Sequence, residues 1–297
     1  MNQYTSQDIC VLTPTKNRPN KIINLLNSLS EQTKKVGRII IVGSGENIEK
    51  IVMGYLGILP VEYYHSEISG QIRQRKLGVT MLTNNTKLVA TLDDDIILER
   101  DAIEENIKFW NTTDDQTAGI GFNIINMTKH SYSIVKEFSY LSTYKPGSVL
   151  TSGYTTSLVN VHEDIKTMWL NGGASIWLQH ILIEGIHKKS IDSIWAPCED
   201  VMFSYPIGKV KNLFICNNSK VVHDDTISYN SIYDAFNRGR LLSLWTFEFV
   251  KQNSELNKHH FYIATIFSSI FNIFKRFYNK KFFFELGRLS IFLKYKK

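Results

Sequence analysis

The chain has 297 residues, 43% hydrophobic and 21% charged, a soluble globular balance that can fill one large core with a smaller appendage. Its three cysteines, Cys10, Cys198 and Cys216, are far apart and make no CxxC pair, which argues against a disulfide framework or a zinc site and fits a reducing cytoplasm. The net charge of +6 sits at one end: residues 261–297 hold eight basic side chains against Glu285 alone. The remaining 260 residues therefore carry −1 and offer no basic body for nucleic acid.

The opening MNQYTSQDIC has neither a basic region nor a long apolar stretch, so no signal peptide is expected. Ile9 to Thr13 is a short apolar, β-branched run ended by Pro14, and it predicts a buried strand. From Asn20 to Leu29, Ile22, Ile23, Leu25, Leu26 and Leu29 recur at helical spacing. Arg38 to Val42 is a second strand, cut off by Gly43-Ser44-Gly45. A helix from about 47 to 56, a strand over 61–64, a helix over 71–82 and a strand over 87–92 follow. Four apolar strands separated by helices predict an α/β fold with a mainly parallel sheet flanked by helices. Ligands of such sheets bind beyond the carboxyl ends of the strands. Thr13-Pro14-Thr15, Gly43-Ser44-Gly45 and Asp93-Asp94-Asp95 all fall on that rim.

The next part, from about 118 to 226, mixes strand-like runs (118–125, 149–161, 213–216, 220–223) with a helix around 200–208. From about Ser231 the pattern is helical and ends in a basic, aromatic stretch. With no internal repeat or low-complexity linker, the expected organisation is a catalytic domain over 1–230 and a helical extension over 231–297. Within the domain, the nucleotide-binding part covers about 1–117 and the acceptor part about 118–230. The apolar run from Phe261 to Phe274 is interrupted by polar residues and is shorter than the ~20 residues of a membrane span, so an integral membrane protein is not expected.

Asp93-Asp94-Asp95 is the sharpest chemical signal. Three successive carboxylates after a buried strand are costly unless a cation or hydrogen-bond donors neutralise them. Asp93 and Asp95 point to one side if strand geometry persists. A hard divalent ion such as Mn²⁺ or Mg²⁺ takes oxygen ligands and shares them with substrate phosphates. The plainer reading is an acidic turn capping a helix over 99–110. On the triplet alone both readings stand.

The ordered set Val11 to Pro19, Arg38 to Val42 and Ala90 to Asp95 resembles the inverting family 2 glycosyltransferases of the GT-A fold, of the kind that build bacterial polysaccharides. Asn171-Gly172-Gly173-Ala174 and then Pro197-Cys198-Glu199-Asp200 are similar to that family's acceptor-side glycines and its Glu-Asp pair. The resemblance spans residues 8–226, and it implies a nucleotide-sugar donor, a divalent metal and a glycan or lipid-linked acceptor. It also implies roles. Thr13, Pro14 and Thr15 would line the base and ribose with Arg18 close by, Asp93 would contact the nucleoside, and Asp94 has no settled part. Asp95 would ligate the metal, with His223 at a position where some relatives supply a further ligand. Asp200 would be the general base, while Glu199, Gly172 and Gly173 would place the acceptor. In place of the acidic residue that often follows the second strand stands Gly43-Ser44-Gly45-Glu46, so either Glu46 is the substitute contact to the base or that contact is absent.

Weaker signals complete the set. Arg73 and Arg75 lie where the family enters a helix with an arginine; Arg75 is taken to face the nucleotide, against the default of surface charge. Arg238 and Arg240 suit a diphosphate clamp, because guanidinium groups match phosphate oxygens, or a solvated helix face. The basic, aromatic C-terminus suits an interfacial helix on anionic lipid, the plainer alternative being aromatics packed on the body. The expected location is the cytoplasm, with peripheral attachment to the inner face of the membrane. Two rivals remain at this point: a nucleotidyltransferase, which usually has a Gly-rich basic loop after its first strand, and a catalytically silent glycan- or lipid-binding module. No P-loop and no Ser-His-Asp order suggests other chemistry.

Overall fold

The structure is a computed structural model that describes residues 3–129, 132–186, 195–224, 228–275 and 279–294. His187 and the tail residues Arg276, Phe277, Lys296 and Lys297 lie outside that set, as do the side chains of Lys275 and Lys294. A short 3-10 turn (Ser6–Asp8) leads into β1 (Ile9–Lys16), α1 (Pro19–Ser30), β2 (Arg38–Ser44), α2 (Glu49–Met53), β3 (Val61–His65), α3 (Gln71–Thr80) and β4 (Leu88–Leu92). Then come β5 (Ile96–Leu98), α4 (Ala102–Trp110), β6 (Thr117–Ile124), α5 (Ile134–Phe138), β7 (Ile165–Thr167), β8 (Ala174–Leu178) and α6 (Gln179–Ile186). The chain finishes with α7 (Glu199–Gly208), β9 (Asn212–His223), α8 (Ile232–Gln252), α9 (Lys258–Lys275), α10 (Lys280–Leu289) and α11 (Ile291–Lys294).

The chain forms two compact units, 1–129 with 158–194 and 203–225, and 130–157 with 195–202 and 226–297. The segments 130–157 and 195–202 thus group with the C-terminal helices, a partition that differs from a boundary near residue 230. The first unit holds one sheet in the order β3-β2-β1-β4-β8-β6-β9-β5, with β7 on β9. β3, β2, β1 and β4 run parallel, and the three inner ones are buried almost throughout, as strands covered on both faces are. The other half is mixed: β8 is antiparallel to β4 and β6, and β9 is parallel to β6 but antiparallel to β5 and β7. Helix α1 starts on Pro19, whose missing N–H costs nothing there. It presses Ile22, Leu25, Leu26 and Leu29 into the core with Val11, Ile39, Ile41 and Ala90. Each of the four helix side chains contributes roughly 1.5–3 kcal/mol of burial.

Three expectations change. The 149–161 run is not a strand: Leu150 to Tyr154 turns back on itself, leaving only a bridge between Val149 and Thr155. The runs at 213–216 and 220–223 are one strand, β9, whose pairing with β6 slips between Cys216 and Lys220, a β-bulge. β8 escapes the periodicity reading because its five residues follow two glycines that read as a turn.

At the far edge, Arg38 on β2 clamps Glu62 on β3 with two hydrogen bonds, Nε to Oε1 at 2.6 Å and Nη2 to Oε2 at 2.8 Å. The guanidinium holds the Glu62 carboxyl below its ordinary range, with burial opposing and the Tyr64 hydroxyl assisting. A depressed carboxylate adds stability above its unfolded pKa and loses it as pH falls through the folded value. Glu62→Gln is therefore expected to cost about 0.5–1 kcal/mol at neutral pH, a pair this exposed being well screened. The difference from wild type in urea unfolding should shrink below about pH 4; a cost that does not change with pH would mean that the pair contributes nothing.

The second unit packs α8, α9, α10 and α11 around Phe247, Val250, Phe261 and Ile291. α8 and α10 cross at Gly239 and Gly287, where an added Cβ would strike the Phe284 and Phe236 carbonyls.

Candidate functional site

β4 is buried along its whole length and stops at Leu92. The chain then turns: the Ile96 amide donates to the Asp93 carbonyl at 3.2 Å, and the Asp93 amide donates to the Gly173 carbonyl at 2.9 Å. Strand geometry does not continue through the triplet, so Asp93 and Asp95 are not a simple same-side pair. Asp94 and Asp95 both meet Arg18, and Asp93 turns to α3. Nor does the triplet cap a helix, since α4 starts at Ala102 behind Asp101.

Asp94 accepts from Thr15 Oγ1 at 2.6 Å and from Arg18 Nη1 at 2.8 Å. Burial pushes its carboxyl up to about 6, with Thr15 and Arg18 pulling the other way. Asp95 Oδ2 accepts from Arg18 Nη1 at 3.0 Å. Its Oδ1 is buried without a hydrogen bond and faces His223 Nε2 at 3.5 Å. Burial raises the Asp95 pKa and the Asp93 charge adds to the rise, against His223 and Arg18. Asp93 Oδ1 accepts from Arg75 Nη2 at 2.7 Å and Gln71 Nε2 at 2.8 Å. Arg75 is only 3% exposed, so it is not a surface charge; Arg73, two residues earlier, is exposed.

The frame around these groups comes from strand ends. Gln74 Nε2 donates to the carbonyls of Thr15 and Val42, both at 2.7 Å, fastening β1 to β2 where the loops leave the sheet. Asn17 Oδ1 accepts from the Glu46 amide at 2.7 Å and ties those loops together, leaving Glu46 exposed. Thr13 and Pro14 are buried within β1. His223 ends β9 opposite Ile96, and Asn126 holds its backbone with two bonds of 2.9 Å. The next residue, Asp224, donates its amide to the Asp95 carbonyl at 2.7 Å and pairs its carboxylate with Lys21 at 3.2 Å.

Thr15, Arg18, Arg75, Asp93, Asp94, Asp95, Gly173 and His223 are thus brought together in the first unit. Glu199 and Asp200 open α7 in the second unit, where the Val201 amide donates to Asp200 Oδ1 at 2.9 Å. Arg238 and Arg240 lie there too, on α8. Arg238 pairs with Asp234 at 3.0 Å and covers the rings of Trp195 and Tyr229, while Arg240 Nε has no hydrogen bond. Sequence reading missed Gln71, Lys21, Asn126 and Asp224. Only Gln71 left a trace, one helical turn before Arg75. A cavity of 630 Å³ between Tyr4, Lys87, Trp110, Asp114, Gln179 and His180 is lined by none of the site residues.

No three His, Cys, Asp or Glu side chains gather into a metal-holding group among the described residues. The unbonded Asp95 Oδ1 facing an imidazole is nonetheless the donor set that a hard divalent ion accepts when substrate phosphates supply further oxygens.

Gly173 fixes the spacing of the acidic turn, because a Cβ there would collide with the Asp93 carboxylate. Gly173→Ala is expected to displace that carboxylate from Arg75 and Gln71. About 1–2 kcal/mol of stability should go with it, the range for losing hydrogen bonds to a charged group. Thermal melts would show this; an unchanged melting temperature would mean that the loop shifts instead.

An α/β unit carrying an acidic turn on the carboxyl rim of its parallel strands is an architecture of the GT-A type. The chain belongs to glycosyl transferase family 2, whose family model matches residues 10–170, more than half its length. It is a glycosyltransferase, and the two rival readings give way. Among solved structures it is similar to S. aureus TarS 1–349 in complex with UDP, at 16% identity and a TM-score of 0.54, covering 91% of this chain and 72% of that one. TarS 1–349 with UDP-GlcNAc gives 14% identity and a TM-score of 0.57, with 96% and 80% covered. The mannosyltransferase PcManGT from Pyrobaculum calidifontis, in complex with GDP-Man and Mn²⁺, gives 12% and 0.59, with 98% and 76% covered. No curated protein matches the chain.

Proposed function

We propose that this enzyme moves a sugar from a nucleotide sugar to a hydroxyl of a glycan or lipid-linked glycan, with inversion, in surface polysaccharide assembly at the cytoplasmic face of a membrane. One observation carries the reading: the acidic turn presents a buried carboxylate oxygen, Asp95 Oδ1, with no hydrogen bond and His223 Nε2 at 3.5 Å. Asp95 and His223 would hold a divalent ion, Mn²⁺ or Mg²⁺. Such an ion would neutralise the charge that builds on the departing diphosphate. UDP, UDP-GlcNAc and GDP-Man in the similar structures, and Mn²⁺ in one of them, support a nucleotide-sugar donor and a metal.

Asp93, held by Arg75 and Gln71, meets the nucleoside. Thr13, Pro14, Thr15 and Glu46 belong to the base and ribose subsite. Asp94 keeps Arg18 in place beside it through their 2.8 Å pair. Arg240, with an unbonded Nε, is a better diphosphate partner than Arg238, which Asp234 already engages. Asp200 takes the proton from the acceptor hydroxyl as that oxygen attacks the anomeric carbon, the task of one carboxylate. Glu199, Gly172 and Gly173 position the acceptor. A single displacement of this kind inverts the anomeric centre.

A panel of UDP- and GDP-sugars, screened with and without Mn²⁺ for thermal stabilisation and turnover, tests the reading. Ion-dependent stabilisation and turnover with at least one donor are expected, and binding of none under either condition sinks it. Asp200→Asn is expected to abolish turnover while donor binding survives; retained turnover would place the base elsewhere.

A further inference from the structure

Helix α9 is built inside out. Its inward side carries Ala264, Thr265, Ser268, Ser269 and Asn272 behind the fully buried Phe261. Three of the polar groups are bonded into the second unit: Thr265 Oγ1 to the Tyr154 hydroxyl at 3.1 Å, Ser268 Oγ to Arg288 Nη2 at 2.7 Å, and Asn272 Nδ2 to Glu285 Oε1 at 2.9 Å. Its outward side is Ile263, Ile266, Phe267, Ile270, Phe271 and Phe274, between 39% and 78% exposed. That spacing is one continuous apolar stripe on a helix. A helix facing water carries the reverse arrangement, and a contiguous exposed apolar face marks an interaction surface.

Charge selects the partner. In sequence the stripe runs directly into Lys275 and Arg276, and Lys280 and Lys281 follow at the start of α10. The acidic residue of this region, Glu285, is buried against Arg288 and does not offset them. An apolar stripe followed in sequence by cations matches an anionic lipid surface, which takes apolar side chains at the acyl boundary and ammonium groups at the headgroups. No described helix is long and apolar enough to cross a membrane, so α9 would lie along it. The Phe282-Phe283-Phe284 run takes no part, being half-buried, with Phe284 beside the Tyr229 ring at 5.7 Å.

We propose that the Ile263–Phe274 face of α9 docks the enzyme on an anionic bilayer. The inference deepens the reading of a membrane-linked acceptor and rests on it. The test is co-sedimentation of the full-length protein with vesicles of phosphatidylcholine alone or mixed equally with phosphatidylglycerol. Wild type is expected to bind the mixed vesicles, and less at high salt. Phe267→Glu/Phe271→Glu should partition about 100-fold more weakly, tenfold for each half-exposed ring. Phe267→Leu/Phe271→Leu should keep most of the binding. The charged variant should also keep its melting temperature and its stabilisation by donor, while Asp95→Asn should bind vesicles like wild type. A failed donor screen would thus leave this result readable, and the converse holds. The proposal is overturned if wild type ignores anionic vesicles or if the charged variant binds equally well. It is also overturned if light scattering shows a dimer that the charged variant dissolves while vesicle binding is absent, since a second copy would then cover the stripe.

Discussion

Arg288→Met is expected to destabilise the protein by about 3–5 kcal/mol, the cost of leaving one partner of a buried ion pair alone. Arg288 and Glu285 are 5% and 2% exposed, one turn apart on α10, with Nη1 to Oε2 at 2.7 Å. Burial works against the guanidinium charge, but Tyr154 and Glu285 outweigh it and hold the arginine pKa above its usual value. The network reaches further, through Nη2 to Ser268 and the Tyr154 hydroxyl, and from Asn272 to Glu285. Methionine fills much of the same volume, so the loss reports charge and not a cavity. Removing both charges, as Arg288→Met/Glu285→Leu, should recover most of the stability, because the desolvation cost goes with the pair. Urea unfolding of the three proteins decides it. A loss under about 1 kcal/mol in the single variant would show that Glu285 finds water or a proton instead.

Asp95→Asn is expected to cut turnover about 1000-fold, roughly 4 kcal/mol of transition-state stabilisation, while the melting temperature holds or rises. The two effects have one cause. Asp95 is buried beside another carboxylate, and both features raise its pKa. Its ionised form therefore costs folding energy that an amide does not. A side chain kept for its charge against that cost is one whose charge is used, the usual trade between stability and activity. Steady-state kinetics across a Mn²⁺ titration, read beside thermal melts, separate the outcomes. Turnover within about threefold of wild type would remove Asp95 from the metal site. A clear fall in melting temperature would make it a structural anchor, its bond to Arg18 outweighing the cost of its burial.

How far the chain could be read depended on the range of the interaction. β1, β2 and β4 were legible because each is built on a continuous apolar run buried on both faces, and β3, at the sheet edge, from its short β-branched and aromatic run. The rim residues followed, since the carboxyl ends of those strands are where the runs stop. β8 and β7 were not legible. β7 has three residues, too few for a period, and the five of β8 follow two glycines that read as a turn, so only its pairing between β4 and β6 defines it. Within the site, the type and order of Asp93, Asp94 and Asp95 came from the sequence. Their division of labour did not, because it depends on which side chain lies across the turn.

The basic, aromatic C-terminus shows the same limit from the other side. Sequence alone determined that residues 261–297 carry a large positive excess and many phenylalanines. Only the tertiary structure decided that Arg288 is spent on Glu285, that Phe282 to Phe284 are half-buried, and that the apolar stripe of α9 faces out while its serines and threonine face in. Composition and periodicity fix that a helix has two faces. Which face meets the protein is set by the partners already buried there, and here those partners are an arginine, a glutamate and a tyrosine that need polar neighbours.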